Sequence, residues 1–459
     1  MRPSPNAFLN MHVVIIGNGI AGITAARHIR KLSDCRITVI SKETDYFFSR
    51  TALMYIYMGH QRYDHTKPYE DWFWGKNRIE LLRGTVENID FEQKTLQLST
   101  DGRYVEYQPH WLERILKIGK KTQIPFLNHA AFTYDKLILA TGSMPRMGDW
   151  PGRDLDGVQG LYSYQDLEKL EKNSPHTQHA VITGGGLIGV ELAEMLHARG
   201  IGVTMLVREQ SYWNNVLPAE ESAIVTKHIC KQGIHLKLGV ELKEIRGKER
   251  VESVVTSDDL KTECQLVGVT IGVQPNVAFL RQSTALKINR GILVNEYLET
   301  NLEDVYAIGD CAEHQSPPHG RKAIEQIWYT GRIMGETVAR TIAGNRTVYQ
   351  PGVFFNSAKF FDLEYQTYGD IPTLLPEGIH TFFWQHPAKE ICLRINYRAD
   401  NRAVTGFNVL GMRLRHAVCE QWIKQQMSFE YVLQHLTEAN FDPEFFERYE
   451  SQILGAAFP

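Results

Sequence analysis

Cysteine is scarce: six in 459 residues, no two within four positions of each other. That excludes a CxxC redox pair and a zinc knuckle, and a large chain this poor in cysteine reads as intracellular. Long apolar runs are missing too, since nowhere do eighteen apolar residues follow one another, so a spanning helix is not expected. The N-terminal MRPSPNAFLNMHVVIIG has one early arginine and a short apolar stretch before a glycine motif. It fits neither a secretory signal nor a transit peptide, and the expected location is the cytoplasm. Neither sign of charge is in excess: 50 basic and 53 acidic side chains leave a net charge of −3, which gives no global field for nucleic acid or an anionic membrane. Seventeen histidines show no HExxH or paired ligand spacing, so no metal site is indicated. What remains is an ordinary globular composition, 43% hydrophobic and 22% charged, long enough for about three domains.

From Met11 the β-branched run HVVII predicts a strand that breaks into Gly17-Asn18-Gly19-Ile20-Ala21-Gly22. The helix pattern ITAARHIRKL and a second strand, RITVIS, follow. In strand, GxGxxG, helix, strand, the first glycine permits a tight turn, the second lets backbone approach a pyrophosphate, and the third lets helix lie on strand. The helix N-terminus adds free N–H groups and positive dipole for the phosphates. The pattern recurs 167 residues on: HAVIT, then Gly184-Gly185-Gly186-Leu187-Ile188-Gly189, then VELAEMLHARG, then VTMLV. Two dinucleotide sites in one chain imply two nucleotides, and the economical chemistry is hydride transfer between two redox cofactors. Between them lie a strand-like YDKLILATGS and a Pro/Gly-rich MPRMGDWPG that reads as a crossover linker. Further on, VYAIGDCAEH puts Asp310 at a strand end, AIEQIWYTGRIMGETVARTI predicts an amphipathic helix, and the last 110 residues alternate strands and helices as a separate α+β domain.

With these motifs in this order, the sequence resembles the FAD-dependent pyridine nucleotide-disulfide oxidoreductase superfamily over roughly residues 11 to 345. The resemblance implies an α/β fold with two Rossmann-like dinucleotide-binding domains: an FAD domain of residues 1–148 and 270–349, split by an NAD(P)H domain of residues 149–269. A C-terminal α+β interface domain, 350–459, would support a homodimer. It also implies roles. Gly17, Gly19 and Gly22 would hold the FAD pyrophosphate, Thr141 and Gly142 would lie along the cofactor, and Asp310, after Gly309, would bond the ribitol. Gly184, Gly186 and Gly189 would hold the NAD(P)H pyrophosphate, with Glu191 near the nicotinamide. The acid expected on the adenosine ribose is displaced, since Ser41 and Lys42 precede Glu43. Glu43 is the candidate, and a solvated surface glutamate is the alternative. Gln326 and Trp328 are candidate flavin contacts, with ordinary helix packing as the alternative.

Relatives that reduce disulfides carry a CxxxxC beside the flavin, and a single-cysteine group carries one thiol there. In DYFFSRTALMY, residues 45–55, Thr51 stands at that place. A hydroxyl forms no charge-transfer thiolate, mixed disulfide or sulfenic acid. The pattern therefore resembles the branch of rubredoxin reductases, ferredoxin reductases of oxygenase systems, apoptosis-inducing-factor-like proteins and the flavin portion of nitrite reductases. Arg50 matches that branch, whereas Tyr55 stands where several members have a lysine. At the second nucleotide, Val207 occupies the acidic position of an NAD-specific strand end. Arg208 follows, able to pair with a 2′-phosphate, which tilts the expectation toward NADPH, with Glu209 as the counter-argument and an ordinary exposed arginine as the alternative.

The expected function is hydride transfer from NAD(P)H to FAD, then direct electron transfer to an external acceptor. The leading acceptor is a small ferredoxin- or rubredoxin-type electron-carrier protein. A quinone, oxygen or nitrite-reducing partner is the alternative, and an apoptosis-inducing-factor-like redox sensor is another. No side chain is assigned as acid, base or nucleophile. A basic amphipathic stretch within residues 108–130 is either a face that docks an acidic electron carrier or lies on a membrane surface, or a helix packed on its own domain, and the aromatic run Tyr69 to Trp74 is read as packing, with a stacking platform as the alternative.

Overall fold

The computed structural model describes residues 11–99, 132–318, 320–442, 444 and 447–457. The chain divides into two compact units, one of Met1–Met144, Tyr162–Glu168 and Val273–Pro351, the other of Pro145–Leu161, Lys169–Gly272 and Gly352–Pro459. Residues 108–130 lie outside the described residues.

The first unit is built on a five-stranded parallel sheet in the order Val305–Ala307, Lys136–Leu139, His12–Ile16, Arg36–Ser41, Ile79–Arg83. Its central strands read as continuous apolar runs because both faces of such a sheet are buried, here in a core shared with two helices and with the antiparallel strands Thr85–Asp90, Thr95–Ser99 and Phe132–Thr133, which add Val86, Ile89, Leu96 and Phe132. Val13, Val14, Ile15 and Leu137 are fully buried. Helix Ile20–Leu32 turns Ile23, Ala25, Ala26 and Ile29 into this core, and Arg30 and Lys31 sit in its last turn, where the dipole favours cations. Its partner, helix Trp328–Ile342, approaches so closely that a Cβ at Gly335 would stand 2.5 Å from the Ala21 carbonyl oxygen. That helix begins at Trp328, later than its amphipathic pattern. Ile327 is extended (φ −132°, ψ 137°), and the residue before it is held by a side-chain bond elsewhere. The aromatic run packs as expected: Trp74 is buried, and Tyr69 and Phe73 lie against the same core.

The second unit repeats the arrangement with strands His235–Leu238, Gly202–Val207, His179–Thr183, Leu266–Val269 and Val158–Gln159, all parallel. It also contains an antiparallel sheet in the order Phe355–Phe360, Leu363–Gly369, Val404–Leu410, Cys392–Arg398, Ile379–Gln385. Helix His416–Lys424 lays its Cys419 and Trp422 on this sheet, in one core with Leu393, Phe407 and Val409. The C-terminal sheet is tied to helix Ala219–Lys231 by Arg394, whose guanidinium donates to both oxygens of the fully buried Glu221 at 2.7 and 2.9 Å. Breaking such a pair from one side strands a buried charge. The last helix runs Glu450–Ala457, starting later than the pattern in PEFFERYESQIL.

Candidate functional site

In an open parallel sheet ligands bind outside the carboxyl ends of the strands, and the glycine motifs stand there in both units. In the first, Gly17 adopts φ +117°, and a Cβ on it would meet the Ala140 carbonyl oxygen at 2.0 Å. A Cβ at Gly22 would lie 2.1 Å from the Gly17 carbonyl oxygen, whereas one at Gly19 would find no protein atom within 4 Å. Two glycines are therefore demanded by the protein's own packing, and the third faces open space. Gly19 is also the N-cap of helix Ile20–Leu32, in extended backbone, so the first N–H groups of the helix face that space unpaired by the helix itself. This is an open cradle rather than a filled turn.

The second unit reproduces it. Gly184 has φ +120°, its Cβ would fall 2.4 Å from the Thr270 oxygen, and that of Gly189 would fall 2.6 Å from the Gly184 oxygen. A Cβ at Gly186, the N-cap of helix Leu187–Ala198, again meets nothing within 4 Å. Even the turn-closing bonds correspond: Gly17 N–H donates to Ile40 at 2.8 Å and Gly184 N–H to Leu206 at 3.0 Å.

Around the first cradle the candidate residues converge. Glu43 follows the second strand, and its two oxygens accept from Arg50 Nη1 and Nη2 at 2.8 and 2.6 Å. The Tyr164 N–H adds a third bond to Glu43 at 2.9 Å. Arg50 also donates to the Tyr162 carbonyl oxygen at 2.5 Å, and its guanidinium lies 4.5 Å from the centre of the Tyr162 ring. Burial works against the charge on Arg50, but the bonds and field of Glu43 outweigh it and raise its pKa. The Tyr162 hydroxyl accepts the Ser143 N–H at 3.1 Å and donates to Asp310 Oδ2 at 3.2 Å. Burial raises the pKa of Asp310, opposed by its hydrogen bonds to Ser143 and Tyr162 and by the Arg50 charge. Gln326 Nε2 reaches Ser143 Oγ at 2.8 Å, and Thr141 Oγ1 donates to the Asn276 carbonyl at 2.9 Å, which holds the strand end that carries Gly142. Gly309 sits over the first helix, its Cβ position 2.9 Å from that of Ala21. Trp328 opens its helix with 45% of its surface exposed. Beside Glu43 a cavity of about 440 Å³ opens outside the ends of the second and third strands, lined in part by Tyr46, Tyr63, Lys67, Arg83 and Tyr164.

Tyr162 is the residue that the motifs missed. It belongs to the seven residues Tyr162–Glu168, which fold with the first unit although their neighbours on both sides belong to the second. No spacing rule marks GLYSYQD. The available signal was two tyrosines at the end of a Pro/Gly-rich linker, just before an Asp that caps its own turn through the Tyr162 and Ser163 N–H groups. Asn18 was missed too: its side chain holds the Thr44 carbonyl at 2.8 Å and so joins the glycine loop to the Glu43 loop.

In the second unit Glu191 lies on helix Leu187–Ala198, its pKa pushed up to about 7 by burial and then by the neighbouring Glu194. Arg208 is largely exposed and pairs with Glu209 at 3.0 Å, with Glu241 at 3.9 Å. Among the described residues no cluster of His, Cys, Asp or Glu could hold a metal ion, and no helix is long and apolar enough to cross a membrane.

These paired cradles define a two-nucleotide oxidoreductase fold, and comparison with known proteins says which. The pyridine nucleotide-disulphide oxidoreductase family matches residues 11–327, and the chain belongs to it. It is an NAD(P)H-dependent oxidoreductase of the type that works with FAD. The NADH oxidase of Methanocaldococcus jannaschii is 30% identical over 366 residues, 77% of this chain and 75% of that one. The nitrite reductase [NAD(P)H] of Bacillus subtilis is 28% identical over 363 residues, 78% of this chain but 41% of that enzyme, so the chain spans about two-fifths of its length. Among solved structures, a ferredoxin reductase of Rhodopseudomonas palustris superposes with a TM-score of 0.74 at 26% identity, covering 87% of this chain and 91% of that one.

Proposed function

We propose that the first unit holds FAD, that the second binds NAD(P)H, and that the chain is a reductase whose electrons leave for an acceptor outside it, a small ferredoxin- or rubredoxin-type carrier. FAD, when bound, supplies a ring that takes two electrons from NAD(P)H and releases them to the acceptor. The chain's own residues bind and orient. Gly17, Gly19 and Gly22 with the helix N-terminus take the pyrophosphate, Glu43 and Arg50 the adenosine end, and Thr141, Gly142 and Asp310 the ribitol. Tyr162 fixes the Asp310 carboxylate, and Gln326 steadies Ser143 behind it. No side chain needs to move a proton.

One observation carries this reading: the loop that in disulfide-reducing relatives presents sulfur presents Thr51, whose hydroxyl lies 3.1 Å from that of Ser49. The one cysteine next to an assigned site residue is Cys311. It is fully buried, its S–H directed at the Leu139 and Ile308 carbonyls and its pKa raised by burial, which makes it inert as a nucleophile. Cys35 is buried at the amino end of the second strand, opposite the cradle. A small redox protein as acceptor is supported by relatives named as the ferredoxin reductase component of a chlorobenzene dioxygenase and as rhodocoxin reductase.

The test is anaerobic stopped-flow reduction of the purified protein by NADH and by NADPH, followed by mixing with ferredoxin, rubredoxin, quinone, oxygen and nitrite. Fast reoxidation by one protein carrier supports the reading. Slow reoxidation by every acceptor, with a nucleotide-dependent change in size, would replace it with a redox sensor.

A further inference from the structure

The second unit contains a hydroxyl that the reading above leaves unused. Tyr212 is fully buried, and its OH donates to the carbonyl oxygen of Gly186 at 2.7 Å. That carbonyl already accepts the N–H groups of Gly189 and Val190 at 3.0 and 3.3 Å, as the N-cap of helix Leu187–Ala198. The Gly186 carbonyl and the Leu187 N–H belong to one planar trans peptide and point in opposite directions. Whatever fixes the oxygen therefore aims the N–H. Leu187 is the first residue of its helix, so its N–H has no acceptor within the helix and faces the open side of the cradle, where a Gly186 Cβ would meet nothing within 4 Å.

Tyr212 is itself held from two sides. Its backbone N–H donates to Thr226 Oγ1 at 2.8 Å, and its carbonyl accepts from Ser222 Oγ at 2.7 Å, which anchors it to helix Ala219–Lys231. Its ring stands edge-on to Phe360, centroids 6.3 Å apart, and the neighbouring Trp213 packs on Phe360 and Tyr365 at 5.6 Å each. Phe360 is fully buried and ends the strand Phe355–Phe360 of the C-terminal sheet. Burial raises the pKa of the Tyr212 hydroxyl, so it stays a donor across the working range of pH.

We infer that Tyr212 is a positioning residue for the pyridine nucleotide: by gripping the Gly186 carbonyl it aims the Leu187 N–H at the nucleotide pyrophosphate, with its ring set by Phe360 from the C-terminal sheet. The inference rests on the second glycine loop being the NAD(P)H site.

The test uses the FAD-loaded enzyme and ADP-ribose, which carries the pyrophosphate but no nicotinamide, with binding measured by calorimetry. Tyr212→Phe should weaken ADP-ribose about three- to tenfold, the range of one lost hydrogen bond. It should raise KM for the reduced nucleotide by the same factor and leave kcat and the flavin spectrum unchanged. Leu187→Pro removes the N–H at a position where proline suits a helix start, after a residue already extended (φ −103°, ψ −179°), and should weaken binding at least as much. In the double variant Tyr212→Phe should add nothing, because the group it aims is gone. Should Tyr212→Phe fail to fold, Phe360→Leu loosens the ring without touching the hydroxyl and carries the same expected split between KM and kcat. Wild-type affinity in Tyr212→Phe, or additive losses in the double variant, overturns the inference. Failure of the wild type to bind either ADP-ribose or its 2′-phosphate overturns instead the assignment of the loop, and the inference with it.

Discussion

Arg50 and Glu43 face each other through two parallel bonds of 2.8 and 2.6 Å, and the same guanidinium lies against the Tyr162 ring. The pair turns the displaced acid after the second strand into a fixed wall of the first cradle. Three of the roughly four acceptor positions on the Glu43 carboxylate are already taken by Arg50 and the Tyr164 N–H. In the proposed FAD site a ribose hydroxyl would meet a carboxylate already locked in place.

Replacing that carboxylate tests the wall. Glu43→Gln keeps the shape but leaves a half-buried guanidinium without its counter-charge, so thermal unfolding of the apoprotein should show a loss of about 1–2 kcal/mol. FAD retention, read from the ratio of absorbance at the flavin band to protein, should fall tenfold or more. Tyr162→Phe should cost about 1 kcal/mol and speed FAD release, because Asp310 loses a donor.

The glycines separate packing from ligand binding. Gly22→Ala would place a methyl 2.1 Å from the Gly17 oxygen and should destabilise the apoprotein. Gly19→Ala meets no protein atom and should leave apoprotein unfolding unchanged while abolishing FAD uptake. Loss of stability in both, with flavin retained in Gly19→Ala, would show that the open space is not a phosphate site.

Glu191 predicts a pH dependence. Its pKa rises from 4.5 to about 7 on folding, so between those values the folded chain binds more protons than the unfolded one. Its contribution is fully present below pH 4.5 and is lost as pH rises through 7. Melting temperature compared across pH 5 to 8 should therefore fall less in Glu191→Gln than in the wild type, and the pH profile of NAD(P)H-dependent flavin reduction should lose any step near 7.

Arg208 is the proposed discriminator between the two nucleotides. With its charge shared by Glu209 and Glu241, Arg208→Ala should raise KM for NADPH several-fold and leave that for NADH nearly unchanged. A change confined to NADH would assign the ribose to the carboxylates instead.

Much of this was legible before the structure. HVVII, RITVIS, HAVIT and VTMLV are strands because β-branched runs bounded by glycine have few other options, and Gly17 and Gly184 announce a turn only glycine tolerates. Gly335 was not singled out by any motif, because its reason lies in the close passage of two helices far apart in sequence. Tyr162 and Tyr212 were illegible for the same cause: each acts through one hydroxyl on a partner more than twenty residues away. The C-terminal strands were visible as alternating runs, but their tie to helix Ala219–Lys231 through Arg394 and Glu221 depends on two charges whose burial no local pattern reveals.

Counting electrons addresses the central claim most directly. Anaerobic titration of the FAD-loaded enzyme with dithionite should reach full reduction at two electrons per flavin, since no thiol stores more. An uptake of four electrons per flavin, with the second pair abolished by replacing a cysteine with serine, would contradict it.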